Sequence, residues 1–104
     1  MSPLERLGFA VAASRWLEVR LGVGGVLSVL VAAAPEAVPY ERLVETAGVG
    51  RPHITRASLS ALVCHLREAL ADVGFENAIA TEREFGFRYA GDVTAIRQAV
   101  ERFA

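Results

Sequence analysis

Cys64 and His65 are the side chains best suited to chemistry, and they are sequence neighbours inside a helical-looking stretch, residues 59–73. Neighbours on a helix project in different directions, which is wrong for a thiol nucleophile and an imidazole meant to activate it. The other histidine, His53, lies twelve residues before His65 with no evident Ser or Cys relay. A metal site would have to join Cys64 to His53 or His65, and a single thiol without a partner cysteine reads as a structural or surface-lining group. The glycines at 22, 24 and 25 precede a helix but lack a P-loop lysine or a full dinucleotide motif. No enzyme activity, metal or cofactor is expected.

The same stretch is better arranged for recognition. Leu59, Val63, Leu66, Leu70 and Val73 fall on one stripe of a helix. Ala61, Cys64, His65 and Glu68 lie opposite: small, polar or charged. Gly74 stops the pattern. Residues 79–83 and 86–90 then alternate like strands, joined tightly at Glu84-Phe85. A helix with one apolar and one slim polar face, followed by a hairpin bearing arginines, suggests a recognition helix with a wing.

The remaining elements must position that pair. Ser2-Pro3-Leu4-Glu5 is a helix-start signature, with Ser as cap, Pro in the first turn and Glu three residues on. It predicts a helix to about Ala13, with a strand over 9–13 as the competing reading. Residues 15–21 alternate, with Leu17, Val19 and Leu21 on one side and Trp16, Glu18 and Arg20 on the other, which predicts a half-buried strand. Trp16 on its polar side either packs against a terminal helix or marks a partner surface. Residues 22–25 are expected to loosen the chain. A buried helix rich in small residues follows over 26–34 and stops at Pro35. A second starts at Pro39-Tyr40-Glu41, with proline and acid early, and ends at Gly48. Gly50-Arg51-Pro52 forms a turn, and Thr55 or Ser58 caps the long helix. Asp92 caps a final helix with Val93, Ile96, Val100 and Phe103 on its apolar stripe.

The bulk numbers set the frame. A chain of 104 residues, 53% hydrophobic, suits one domain with a real core. It has no internal repeat or low-complexity run. The net charge is −1 and all 11 basic residues are arginine. The net charge provides no global attraction to nucleic acid or acidic membranes. The arginine bias fits a GC-rich genome, with selection for bidentate phosphate or guanine contacts as the other explanation. One cysteine suggests a reducing compartment, the apolar run 23–34 is too short for a membrane span, and the first residues lack a signal-peptide pattern. A cytoplasmic protein is expected.

At this point the residues resemble the winged-helix DNA-binding domain of OmpR/PhoB-type response regulators. Val63-Cys64-His65-Leu66-Arg67-Glu68-Ala69-Leu70 matches the family pattern I-x-x-L-R-x-x-L, and Ile79-Ala80-Thr81-Glu82-Arg83-Glu84-Phe85-Gly86-Phe87-Arg88-Tyr89 matches I-x-T-x-R-x-x-G-Y-R-aromatic. Upstream, residues 17–21, the apolar helix and Val38-Pro39-Tyr40-Glu41-Arg42-Leu43 look like the family's last N-terminal strand, its first helix and the opening of its second. The resemblance covers residues 16–90 of a single domain 1–104, with 1–15 and 91–104 as terminal extensions. It implies an α+β winged helix-turn-helix: a three-helix core and a C-terminal β-hairpin wing, here with a short N-terminal element and an extra C-terminal helix. A stand-alone bacterial regulator without a receiver domain is expected.

By this resemblance, DNA-binding residues are Arg51, Arg56, Ser58, Ser60, Ala61, Cys64, His65, Arg67, Thr81, Arg83 and Arg88. Serine bonds several base edges, Ala61 suits a thymine methyl, and Arg56 or His65 can reach a guanine edge or phosphate. Arg67 corresponds to a position of backbone contact, with an ion pair to a neighbouring acid as its other reading. Thr81 and Arg83 fall where the family's wing meets phosphate and the minor groove. Glu68 and Ala69 stand where the family is usually basic, and Glu84 replaces its glycine at the wing tip. Residues 51–89 hold five arginines against five acids. A monomer should therefore bind double-stranded DNA weakly, and a dimer or a partner is expected. The terminal helices could pair with each other, join two copies, or only cover their own core. The rival reading is a winged-helix module that binds RNA polymerase or another regulator instead of DNA.

Overall fold

The computed structural model describes residues 1–47 and 54–104. It is an α+β fold of five helices and a small antiparallel sheet: α1 (Pro3–Leu17), α2 (Leu21–Ala33), β1 (Val38–Pro39), α3 (Tyr40–Ala47), α4 (Arg56–Asp72), β2 (Ile79–Glu82), β3 (Gly86–Tyr89) and α5 (Val93–Glu101). The turn expected at Gly50-Arg51-Pro52, like Gly48 and His53, lies outside the described residues.

Local chemistry sets most element boundaries. The Ser2 hydroxyl accepts from the Glu5 amide at 3.1 Å, and the Glu5 carboxylate accepts from the Ser2 amide at 3.3 Å, a reciprocal cap on α1. Thr55 caps α4 by accepting from the Ser58 amide at 3.2 Å, and Asp92 caps α5 by accepting from the Ala95 amide at 3.0 Å.

Helix α1 runs beyond the expected end at Ala13, and the strand expected over 15–21 is a helix–turn–helix corner. Leu17 ends α1 buried, Glu18 takes the left-handed conformation at φ 54°, and Leu21 opens α2. The alternation misleads because the corner buries Leu17 and half-buries Val19 while Leu21 stays exposed. Trp16 turns inward and meets Phe75 edge-on, with ring centroids 5.5 Å apart. It packs internally, but on the segment after α4 and not on a terminal helix as one of its two readings had it.

Residues 22–25 are not loose either: they form the first half of α2. Gly24 is what lets α1 lie against α2, since a Cβ there would collide with the Ala10 carbonyl and the Ser14 hydroxyl. A backbone crossing this close is available only to glycine, so its cost in helix propensity is offset by packing.

The apolar side chains of α2 fill the centre. Val26, Leu27 and Leu30 are fully buried there with Leu43 of α3, Leu59, Val63, Leu66 and Leu70 of α4, and Ile96 of α5. The stripe read for α4 holds to Leu70 but not to Val73, and that of α5 holds for Ile96 and Val100 while Phe103 is exposed. Each stripe fails where its helix ends. Helix α5 lies against α1, so the terminal helices pair within the chain.

The sheet has the order β1-β3-β2. Val38 and Pro39, expected in the opening of a helix, instead pair with Phe87 and Gly86. Gly86 is required because the Val38 carbonyl occupies the space a Cβ would fill. The Tyr40 amide then donates to the Phe85 carbonyl at 3.0 Å, which ties the hairpin to the start of α3. Tyr89 on β3 is buried, and its hydroxyl has no hydrogen-bond partner among the described residues. Burial, and then the nearby Asp92 carboxylate, push its ionisation up to about 12.

Two outcomes follow from the packing. Gly24→Ala should lower stability by about 1–3 kcal/mol in urea unfolding. Gly8→Ala, at a helical site with nothing within 4 Å of the added Cβ, should raise it by up to about 1 kcal/mol. Because the unfolded Tyr89 phenol titrates near 10 and the folded one near 12, its contribution is whole below pH 10 and is lost as pH rises toward 12. Tyr89→Phe should flatten that alkaline fall, read as unfolding midpoint against pH.

Candidate nucleic-acid interface

The outer face of α4 is built by exclusion. Leu59, Leu62, Val63, Leu66 and Leu70 point into the core, so Ser60, Ala61, Cys64, His65 and Glu68 face solvent. The described residues supply no hydrogen-bond partner for the side chains of Ser60 and His65. The Cys64 thiol lies 3.9 Å from the Glu68 carboxylate one turn on. Ser58 belongs to the cap, since its hydroxyl accepts from the Thr55 hydroxyl at 3.2 Å.

Arg56, the first residue of α4, reaches across to α3. Its Nη2 lies 2.7 Å from Glu41 Oε1, and its guanidinium sits over the Tyr40 ring at 4.7 Å. The Glu41 carboxyl is held below the ordinary carboxylate range, first by its own backbone amide and then by the bond from Arg56. Both side chains are well exposed, so solvent weakens the pair.

Arg67 does not form the ion pair that was one of its two readings. Nε donates to the Ile79 carbonyl at 3.1 Å, Nη2 donates to Thr81 Oγ1 at 2.8 Å, and the guanidinium lies 5.6 Å from the Phe87 ring centroid. Arg67 and Thr81, both expected at DNA, thus hold each other and fasten the hairpin to α4. Arg88 is bound within the hairpin, with Nε 2.6 Å from Glu82 Oε1. The two share one face of the β2–β3 ladder, diagonally placed.

The turn at residues 83–85 is closed by a bond from the Phe85 amide to the Glu82 carbonyl at 3.0 Å, with Glu84 at φ 62°. Such a positive φ suits glycine far better than glutamate. Arg83 and Phe85 are exposed at this tip, and Arg83 has no ion-pair partner among the described residues. Glu84 shares a shallow concavity of about 350 Å³ with Tyr40, Arg56, Ala57 and Ser60.

The expected residues are therefore brought to one side of the molecule in part. Ser58, Ser60, Ala61, Cys64 and His65 share α4 with Arg56, and Glu84 beside Arg56 and Ser60 brings the hairpin tip, with Arg83, to its start. Arg51 lies outside the described residues. The charges interleave, with Glu41 and Glu84 beside Arg56 and Glu82 on Arg88. Sequence reading missed Tyr40 and Glu41 as partners of Arg56. The pair spans fifteen positions, and no local periodicity signals it.

Among the described residues, no group of three or more His, Cys, Asp or Glu side chains could hold a metal ion. No described helix is long and apolar enough to cross a membrane. No protein-family model, curated protein or solved structure matches the chain.

The double tether of Arg67 leads to a direct test. Arg67→Ala should cost about 1.5–3 kcal/mol, the range for hydrogen bonds to a charged group. It should also raise amide hydrogen exchange in β2 and β3 before that of α2. Uniform acceleration across the fold would contradict a local clip.

Proposed function

We propose that this domain is a sequence-specific DNA-binding transcriptional regulator of the OmpR/PhoB winged-helix type, with α4 in the major groove and the β2–β3 hairpin as a wing in the minor groove. The observation that carries the reading is the outer face of α4. It presents short hydrogen-bonding and apolar side chains, the composition a helix needs to approach base edges. The order α2-β1-α3-α4-β2-β3, with β1 beside the returning strand of the hairpin, supports it, as does the match of residues 63–70 and 79–89 to the family pattern.

Electrostatics argue for low intrinsic affinity. Arg56 and Arg88 are already paired with acids, and Arg67 is spent on the hairpin. Few phosphates can then be neutralised by one copy, and affinity scales with that number. A working complex requires a second copy or a partner. The outer faces of α1 and α5, which leave Leu4 and Phe103 exposed, are where a homodimer would form. The setting proposed is the bacterial cytoplasm.

The interleaved acids and the exposed Phe85 favour one other reading, a module that binds RNA polymerase or another regulator without touching DNA. Fluorescence anisotropy on genomic fragments at several salt concentrations separates the two. DNA binding should weaken steeply with salt. Arg83→Ala should weaken it for most sequences and reduce the salt slope by about 1, whereas Ser60→Ala should change sequence preference. Absence of any salt-sensitive binding would sink the DNA reading and leave the protein-binding one.

A further inference from the structure

A second feature lies away from that surface. Helices α1 and α2 and the end of α3 flank an open cleft of about 290 Å³, lined by Pro3, Leu7, Ala10, Leu21, Gly22, Gly25 and Val29 and, as polar residues, by Arg6, Ser28 and Thr46. That volume is at the small end for a ligand site, and the mostly apolar lining with few polar groups is what such sites have.

Three observations mark it as more than a packing gap. Gly25 has no packing reason to be glycine. Among the described residues a Cβ there would meet only Thr46 Cγ2, at 3.4 Å, whereas Gly24 beside it is forced by the approach of α1. Glycine inside a helix is costly, and what its small size provides at Gly25 is open space in the cleft. Next, the hydroxyl protons on the lining are already committed: Ser28 donates to the Gly25 carbonyl at 2.7 Å and Thr46 to the Arg42 carbonyl at 3.0 Å. Arg6 remains as the charged donor. Its Nε is buried without a hydrogen-bond partner, and no carboxylate pairs with it among the described residues. Finally, α2 begins on the cleft wall at Leu21 and Gly22 with no side-chain cap and no acid in its first turn. Its dipole therefore adds to the positive potential that Arg6 sets up.

We propose that this cleft binds a small amphipathic carboxylate, its apolar body between Leu7, Leu21 and Val29 and its carboxylate on the Arg6 guanidinium. An apolar cleft selects the body by burial. A guanidinium as the sole ionised side chain on the described lining selects the negative head group by charge-assisted hydrogen bonds. The inference is independent of DNA binding.

The test is titration of the labelled chain with octanoate, 1-octanol and octylammonium, followed by amide chemical shifts. Octanoate should give saturable shifts concentrated at Leu7, Gly22, Gly25 and Val29, and should bind more tightly than octanol, with octylammonium weakest. Arg6→Gln should raise the octanoate dissociation constant about tenfold and leave octanol unchanged. Gly25→Leu should fill the cleft and abolish both. Leu7 is exposed at the rim, so Leu7→Glu should keep the fold and weaken octanoate more than octanol. The proposal is overturned if octanoate gives no saturable shifts there, or if octanol and octanoate bind equally to the unaltered chain. It is also overturned if sedimentation reveals a dimer that Gly25→Leu dissociates and Leu4→Glu does not, since the cleft itself would then be an interface between copies.

Discussion

Arg67 is a half-buried guanidinium that finds its acceptors within the protein, and the way it does so shapes how the exposed surface is arranged. Its fork bonds the Ile79 carbonyl and the Thr81 hydroxyl and leans on the Phe87 ring. The inner face of α4 is held by the core, but the hairpin is short and gains much of its position from this clip and from the Tyr40–Phe85 bond at its other end. Two tethers, one at the base of β2 and one at the tip, orient the hairpin against both α3 and α4. Lysine could not replace the clip, because its single ammonium lacks the planar fork that meets a carbonyl and a hydroxyl together.

The same arrangement limits what the surface can do. A nucleic-acid partner is attracted by uncompensated positive charge. Here three of the arginines near α4 and the hairpin already have internal partners. Exposed ion pairs such as Glu41–Arg56 and Glu82–Arg88 stabilise little, so their chief effect is on the field outside the protein. A phosphate approaching Arg56 competes with Glu41 and meets Glu84 nearby. In the proposed DNA reading, shape and the short side chains of α4 contribute more to recognition than charge does.

Features that depend on near neighbours in sequence were legible. The caps at Ser2, Thr55 and Asp92, the buried stripe of α4 to Leu70, and the hairpin around Glu84 all follow from local spacing. Features that depend on distant neighbours were not. Residues 15–21 alternate whether they form a strand or a helical corner, and only the docking of Trp16 on Phe75 decides. Residues 22–25 look flexible until α1 is laid against Gly24. Val38 and Pro39 become a strand because Gly86 comes beside them. In the site the division is the same. Periodicity finds the outward face of α4, but the partners of Arg56 and Arg67 lie on other elements, and no local pattern reports them.

The two ends of the sheet carry a consequence for solubility. A strand at a sheet margin offers unpaired amides and carbonyls on which another chain can add. On one side that margin is β1, two residues long, and Pro39 supplies no amide at all. On the other it is β2, four residues that run into Glu82 and Arg83. Neither margin is long enough or apolar enough to template growth. The exposed hairpin therefore presents only short margins to a neighbouring chain.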